Sequence, residues 1–246
     1  MLKINRMKQE FDNYTQEDFK VWKTLFERQL DNLEDKSCLA YLSCLSELSE
    51  VLNANSIPQF EQLNDVLQRK TGWTIEVVPG LIPVGDFFEL LSRKKFCSST
   101  WLRSMAQLDY LEEPDMFHDI FGHIPLFMNC EYGDFAQKMG EIGVRFKGSE
   151  EILIELQRLY WFTIEFGLLQ EAGTKIYGAG ITSSFGETNT IYEKSTEIRL
   201  FDIDEIISTD FNNNVIQTKY FLLPSFEELY AALNKYEEQL ISLACL

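Results

Sequence analysis

The sequence is poor in histidine, in basic residues, in paired cysteines and in long apolar runs, and each shortage excludes something. Twenty-two Lys and Arg stand against 39 Asp and Glu, a net charge of −17 over 246 residues. Nucleic acid and anionic membranes both call for a basic footprint, so this balance argues against either as a partner. The acidic residues fall on helix-like stretches such as Glu227-Glu228 and Glu237-Glu238 and read as solvated faces. Cys38, Cys44, Cys97, Cys130 and Cys245 are odd in number, scattered, and form no Cys-x-x-Cys. That fits reduced thiols in a cytoplasm better than a disulfide framework. The start, MLKINRMKQEFDNY, has no apolar signal core, and no stretch of ~18 apolar residues occurs anywhere. A cytoplasmic protein with a small-molecule partner is the expectation.

What is present supports one sizeable core. Hydrophobic residues make up 45% of the chain and aromatics 13%, ample at this length, and no repeat, linker or low-complexity tract marks a second domain. Phe19, Trp22, Leu25, Phe26, Leu30 and Leu33, then Leu39, Leu42, Leu45, Leu48 and Leu52, recur at helical spacing and predict two amphipathic helices. A third helix is expected from Pro58 to Lys70, with Gly72 as terminator. Trp73 to Val78 alternates and reads as a strand. A helix from about Asp86 to Lys95 follows, with Ser98 to Arg103 extended. Ser149 to Ala172 carries an apolar pattern wide enough for a central helix. Strand-like pieces at 175–177, 197–201 and 219–223 precede a last helix opened by the capping box Ser225-Phe-Glu-Glu228. The fold class is therefore mainly α with small β elements, in a single domain over 1–246: a helical N-terminal part, 1–71, and a core, 72–230.

The two histidines of the chain, His118 and His123, fall in one stretch between Glu113 and Pro125. Imidazole is a common transition-metal ligand. On an ideal α-helix five residues turn through about 500°, which leaves the rings about 140° apart. Convergence on one ion therefore requires irregularity, and Pro125 and Gly122 supply it, the one disfavouring helix at Ile124 and the other freeing the backbone. A core or capping role without metal is the alternative. Glu165 lies in the most apolar part of the central helix, with no Lys or Arg between Arg158 and Lys175. A buried carboxylate needs a cation: a metal, or a distant arginine such as Arg103. Two histidines and a carboxylate on one face of an ion make the triad of mononuclear iron(II) oxygenases; zinc on the same ligands would favour hydrolysis.

Three runs carry a resemblance. They are Glu113-Pro-Asp-Met-Phe-His-Asp-Ile-Phe-Gly-His-Ile-Pro-Leu-Phe127, Leu159-Tyr-Trp-Phe-Thr-Ile-Glu-Phe-Gly-Leu168, and Tyr177-Gly-Ala-Gly-Ile-Thr-Ser-Ser-Phe-Gly-Glu187. The chain resembles the catalytic domain of the pterin-dependent aromatic amino acid hydroxylases, nearest to bacterial phenylalanine 4-hydroxylase, from about Gly72 to Leu229. The resemblance implies iron(II) on His118, His123 and Glu165, and tetrahydrobiopterin or a related tetrahydropterin near Val78, Gly80, Leu81, Ile82, Phe87, Asp119 and Tyr160. It also implies that Arg103 binds the substrate carboxylate, that Asp115 holds that arginine, and that Pro114, Trp161 and Gly180 belong to the aromatic pocket. Ser183 then supports the first histidine and Glu187 is a polar group near the substrate. Metal and pterin would activate dioxygen together to hydroxylate the ring of an aromatic amino acid, with phenylalanine the expected substrate. A tyrosine or tryptophan hydroxylase and a non-catalytic pterin- or protein-binding relative remain alternatives.

Three positions depart from animal members: Cys97 stands for a histidine beside the pterin, Val84 for a serine, and Leu111 for a threonine near the substrate. The polar loop Phe211-Asn-Asn-Asn214 falls where members differ in substrate preference. Nothing before Met1 holds a regulatory domain, and the C-terminal stretch lacks a further heptad helix, so a monomer is expected.

Overall fold

A short 3₁₀ turn, Phe11–Asn13, leads into a capped helix. A computed structural model describes residues 7–109, 111 and 113–244. Helix α1, Gln16–Leu33, opens on Thr15 and Asp18 in a reciprocal capping box, which satisfies two otherwise unpaired backbone donors. Its inner stripe of Val21, Trp22, Leu25, Phe26 and Leu33 is buried; Leu30, expected on that stripe, is 43% exposed. Trp22 meets Phe117 edge-on at 5.5 Å and Phe26 meets Phe121 at 5.0 Å, so α1 braces the histidine-bearing segment. Helix α2, Leu39–Glu47, does the same through the Tyr41 hydroxyl, which donates to Phe121 O at 2.7 Å. Helix α3, Phe60–Lys70, starts two residues after Pro58 and ends at Gly72, whose φ of +82° is left-handed.

Next comes a βαβ unit: strand β1, Thr74–Val77, helix α4, Val84–Ser92, and strand β2, Lys95–Ser98, parallel to β1. Lys95 was expected to end the helix. Instead Lys94 turns at φ +53° and releases Lys95 to pair with Thr74, because the backbone of β1 needs a partner. Helix α5, Cys130–Arg145, lies on α4 so closely that a Cβ on Gly140 would stand 2.3 Å from Ser92 N, and one on Gly143 2.5 Å from the Phe88 ring.

Helix α6, Glu150–Tyr160, passes into a π-turn, Trp161–Glu165, and stops there. The expected continuation to Ala172 is instead strand β3, Leu168–Glu171, paired antiparallel with β4, Gly173–Ile176. Gly167 sets that break: a Cβ there would lie 2.1 Å from the Tyr177 ring and 2.2 Å from Thr163 O, so the chain turns in a space with no room for a side chain. Short helices α7, Ala179–Thr182, and α8, Phe185–Thr190, lead to strand β5, Glu197–Leu200, helix α9, Ile203–Ser208, and strand β6, Lys219–Leu223. The sheet order is β4-β3-β6-β5. Helix α10, Phe226–Ala244, packs on α5, where Glu237 takes both Lys138 at 2.5 Å and Arg145 at 2.7 Å. Cys38, Cys44, Cys97 and Cys130 are free thiols, and Cys245 lies outside the described residues. Among the described residues no helix is long and apolar enough to cross a membrane.

Candidate active site

The histidines share one turn of π-helix, His118–His123. Its i→i+5 bonding stacks residues five apart nearly above one another, which resolves the 140° mismatch that an α-helix would impose. A 3₁₀ segment, Ile124–Met128 with Pro125 near its start, follows at once. Gly122 acts differently from the sequence expectation. Its backbone is not in the left-handed region; a Cβ there would be 2.9 Å from Ala179 O, so the missing side chain admits α7. At the other end Asp115 accepts from His118 N at 3.1 Å. Glu165 closes the second π-turn, in which Phe166 N donates to Trp161 O, five residues back, at 2.9 Å.

Together these turns bring His118 Nε2 within 3.1 Å of His123 Nε2, with Glu165 oxygens 3.1 Å from His123 Nε2 and 3.5 Å from His118 Nε2. One ligand atom from each residue lies within 4.8 Å of the others. The donor set fits a metal. Ser183 Oγ donates to Ala179 O at 2.7 Å and so receives its 2.9 Å bond from His118 Nδ1, which assigns the proton to Nδ1 and turns the Nε2 lone pair toward the other ligands. His123 is 1% exposed, lies against Phe96 at 4.4 Å, and its Nδ1 has no partner among the described residues. Burial alone would raise the Glu165 pKa, but His123 and His118 outweigh it and hold the carboxyl far below its usual range. Burial works against protonating both rings; at His118 the Glu165 charge wins and the pKa rises, whereas at His123 burial wins and it falls. An ionised carboxylate beside two imidazoles, of which burial holds His123 neutral and the Ser183 contact turns the Nε2 of His118 toward the other two, is the N₂O donor set of a 2-His-1-carboxylate centre.

This cluster floors a cavity of about 290 Å³. All seven residues expected near a pterin, Val78, Gly80, Leu81, Ile82, Phe87, Asp119 and Tyr160, line it, as do Pro114 and Trp161. Phe87 and Tyr160 meet edge to face at 5.0 Å, and the indole of Trp161 stacks on Phe211 at 4.4 Å and 13°. Asp119 accepts from Ser99 N at 2.9 Å, and burial pushes its carboxyl up to about 7, despite the pull of His118.

Arg103, Asp115, Gly180, Ser183 and Glu187 stand outside this lining. Arg103 is clamped by Asp115, with Nε and Nη2 at 2.8 and 2.9 Å from its two oxygens. Burial raises the Asp115 pKa, but Arg103 outweighs it and the net shift is downward. The pairing leaves N–H groups of the guanidinium available for a second anion. Gly180 acts through Phe166, whose ring would be 2.8 Å from a Cβ there and lies 4.6 Å from Trp161. Glu187 accepts from Gln217 N at 3.2 Å and lies 3.1 Å from the Tyr220 hydroxyl, whose one proton is shared with Gln217 O at 2.8 Å, and burial lifts its carboxyl to about 7. Phe96, Ser99 and Gln157 also line the cavity and were not anticipated. Phe96 and Cys97 lie on β2 and Ser99 just past its end; Gln157 sits one α-helical turn before Trp161.

A family model described as biopterin-dependent aromatic amino acid hydroxylase matches residues 6–243. Phenylalanine-4-hydroxylase of Ralstonia nicotianae is 42% identical over 228 residues, 92% of this chain and 72% of that protein. Phenylalanine hydroxylase of Chromobacterium violaceum, in a crystal structure with bound iron(III) and the oxidised cofactor 7,8-dihydrobiopterin, superposes with a TM-score of 0.89 at 42% identity, over 97% of this chain and 86% of that one. A crystal structure of the same C. violaceum enzyme bound to iron and phenylalanine gives a TM-score of 0.85 at 40% identity, over 92% and 82%. With a match that runs nearly end to end and a metal-ready cluster at the cavity floor, this chain belongs to the biopterin-dependent aromatic amino acid hydroxylase family.

Proposed function

We propose that the protein is a phenylalanine 4-monooxygenase, converting L-phenylalanine to L-tyrosine with dioxygen, iron(II) and a tetrahydropterin. The observation that carries this is the meeting of His118, His123 and Glu165 within 4.8 Å under an aromatic-walled cavity. When bound, iron(II) and the reduced pterin supply the electrons that activate dioxygen for attack on the ring. The chain's own residues bind and orient. His118, His123 and Glu165 hold the metal by one face, and Ser183 keeps the His118 proton on Nδ1. Phe87 and Tyr160 offer a flat slot to the pterin ring, Val78 and the Gly80–Ile82 backbone bound that slot, and Asp119 accepts hydrogen bonds along its edge. Trp161 and Pro114 wall the space for the substrate ring, with Gly180 admitting Phe166 behind Trp161. Arg103, held flat by Asp115, grips the substrate carboxylate at two points, and Glu187 anchors the backbone behind the aromatic wall.

One catalytic domain over 1–246, with its helical part at 1–71 and core at 72–230, belongs to the same reading; the contacts of Trp22 with Phe117 and Phe26 with Phe121 support it. The scattered, unpaired cysteines support a cytoplasmic enzyme, the net charge of −17 one without a nucleic-acid partner, and a monomer is the simplest state. The test is product identification from phenylalanine, tyrosine and tryptophan with iron(II), a tetrahydropterin and dioxygen, with His118→Ala as control. Tyrosine from phenylalanine at the highest kcat/KM is expected. A preference for another amino acid would move the assignment within the family, and no hydroxylated product from any of the three would overturn it.

A further inference from the structure

Gln217 has no role in the reading so far, yet it is 7% exposed and bonded through every polar atom. Its backbone N–H donates to Glu187 at 3.2 Å and its carbonyl accepts from the Tyr220 hydroxyl at 2.8 Å. The side-chain Nε2 donates to the carbonyls of Asn212 and Val215, both at 2.8 Å, and Oε1 accepts from Trp161 Nε1 at 3.2 Å. The amide orientation follows from the partners, since an indole N–H can only donate and backbone carbonyls can only accept. The loop that Gln217 grips carries Phe211, which lies flat on Trp161, and both rings line the cavity. The loop's near end is fixed separately, by Arg158 to Ile207 O at 2.8 Å and to the Asp210 carboxylate. Gln217 is thus a tie between its far end and the indole.

We propose that Gln217 is a positioning residue for the aromatic substrate: it clamps the 211–216 loop to Trp161, so that Phe211 and Trp161 form a wall of fixed width for the substrate ring. The inference rests on the hydroxylase reading above and deepens it. A site that requires two donors and one acceptor on a single three-carbon arm accepts glutamine; glutamate keeps the acceptor but cannot donate to the carbonyls, and methionine keeps only the shape.

The experiment compares wild type with Gln217→Met, using calorimetric Kd values for phenylalanine and for the tetrahydropterin, iron content, steady-state kinetics on phenylalanine and tryptophan, and tyrosine formed per pterin oxidised. Loss of these buried bonds is expected to raise Kd and KM for phenylalanine about tenfold. Saturating kcat should stay within about threefold, with iron and pterin binding unchanged, because those groups sit elsewhere in the cavity. Discrimination against tryptophan should fall, and less tyrosine should form per pterin. In a Trp161→Phe background the same substitution should cost less, since the two residues act through one bond. Unchanged KM and selectivity, or a fall in kcat alone, would overturn the clamp. If Gln217→Met does not fold, Gln217→Glu carries the same expectations and the same contrary outcomes. Wild type that makes tyrosine while the variant keeps its KM sinks the clamp and leaves the function standing. Wild type that makes none sinks the function, and the phenylalanine Kd still decides the clamp.

Discussion

Two residues, Ser183 behind a metal ligand and Glu187 behind the aromatic wall, carry more than packing. Ser183 fixes the tautomer of His118 by spending its own proton on Ala179 O. Ser183→Ala leaves Nδ1 without that acceptor, and iron(II) affinity should fall on the order of 10–100-fold, read by titration of the metal-free protein. Glu187 is a buried acid with no cation beside it among the described residues, and burial lifts its carboxyl from 4.5 to about 7. Below the lower value both folded and unfolded chains hold the proton. Between the two values the unfolded chain releases it while the folded chain retains it, so stability falls as pH rises and the loss is complete above about 7. Glu187→Gln keeps an oxygen for the Tyr220 hydroxyl and removes this titration. Unfolding free energies from denaturant melts should match wild type near pH 4 and exceed it at pH 8 by ~2 kcal/mol; a variant less stable at pH 8 would show that the charge is favourably held.

The elements that build the site differ in how plainly the residues announce them. Helix α1 was readable from its apolar stripe, and β5 and β6 as short strand-like pieces at 197–201 and 219–223. The π-turns were not. The five-residue spacing of the histidines demanded an irregular helix, but only packing of Gly122 against Ala179 decides which irregularity occurs. Likewise the apolar run past Glu165 has the content of a helix and becomes β3 because β4 and β6 lie alongside it, a tertiary choice that local pattern does not carry. The ligands were therefore legible as residue types, while the loop holding Phe211 and its tie to Gln217 depend on contacts between distant segments. The α4–α5 interface offers an element-scale test. Alanine at position 140 is a better helix former than glycine by ~1 kcal/mol, yet its Cβ would meet Ser92 N at 2.3 Å. Gly140→Ala should therefore destabilise the protein by ~1–3 kcal/mol through overpacking, and it should weaken pterin binding, since α4 carries Phe87. A gain in thermal stability would contradict this packing.

At the scale of the whole molecule the metal cluster joins segments far apart in the chain, so a bound ion stabilises the folded state alone. An ion held at 100 times its Kd adds ~2.7 kcal/mol, which for a chain of this size is roughly 5–10 °C in Tm. Removing iron with a chelator should lower Tm by that order, and His118→Ala should show no such response. The most direct measurement is a titration of the metal-free enzyme with iron(II), following metal bound and tyrosine formed from phenylalanine in the presence of a tetrahydropterin and dioxygen. Wild type should gain activity in proportion to iron and saturate at one ion per chain, with His118→Ala and Glu165→Gln flat throughout. Tyrosine formation that does not depend on iron, or that survives loss of either ligand, would contradict an iron centre on His118, His123 and Glu165.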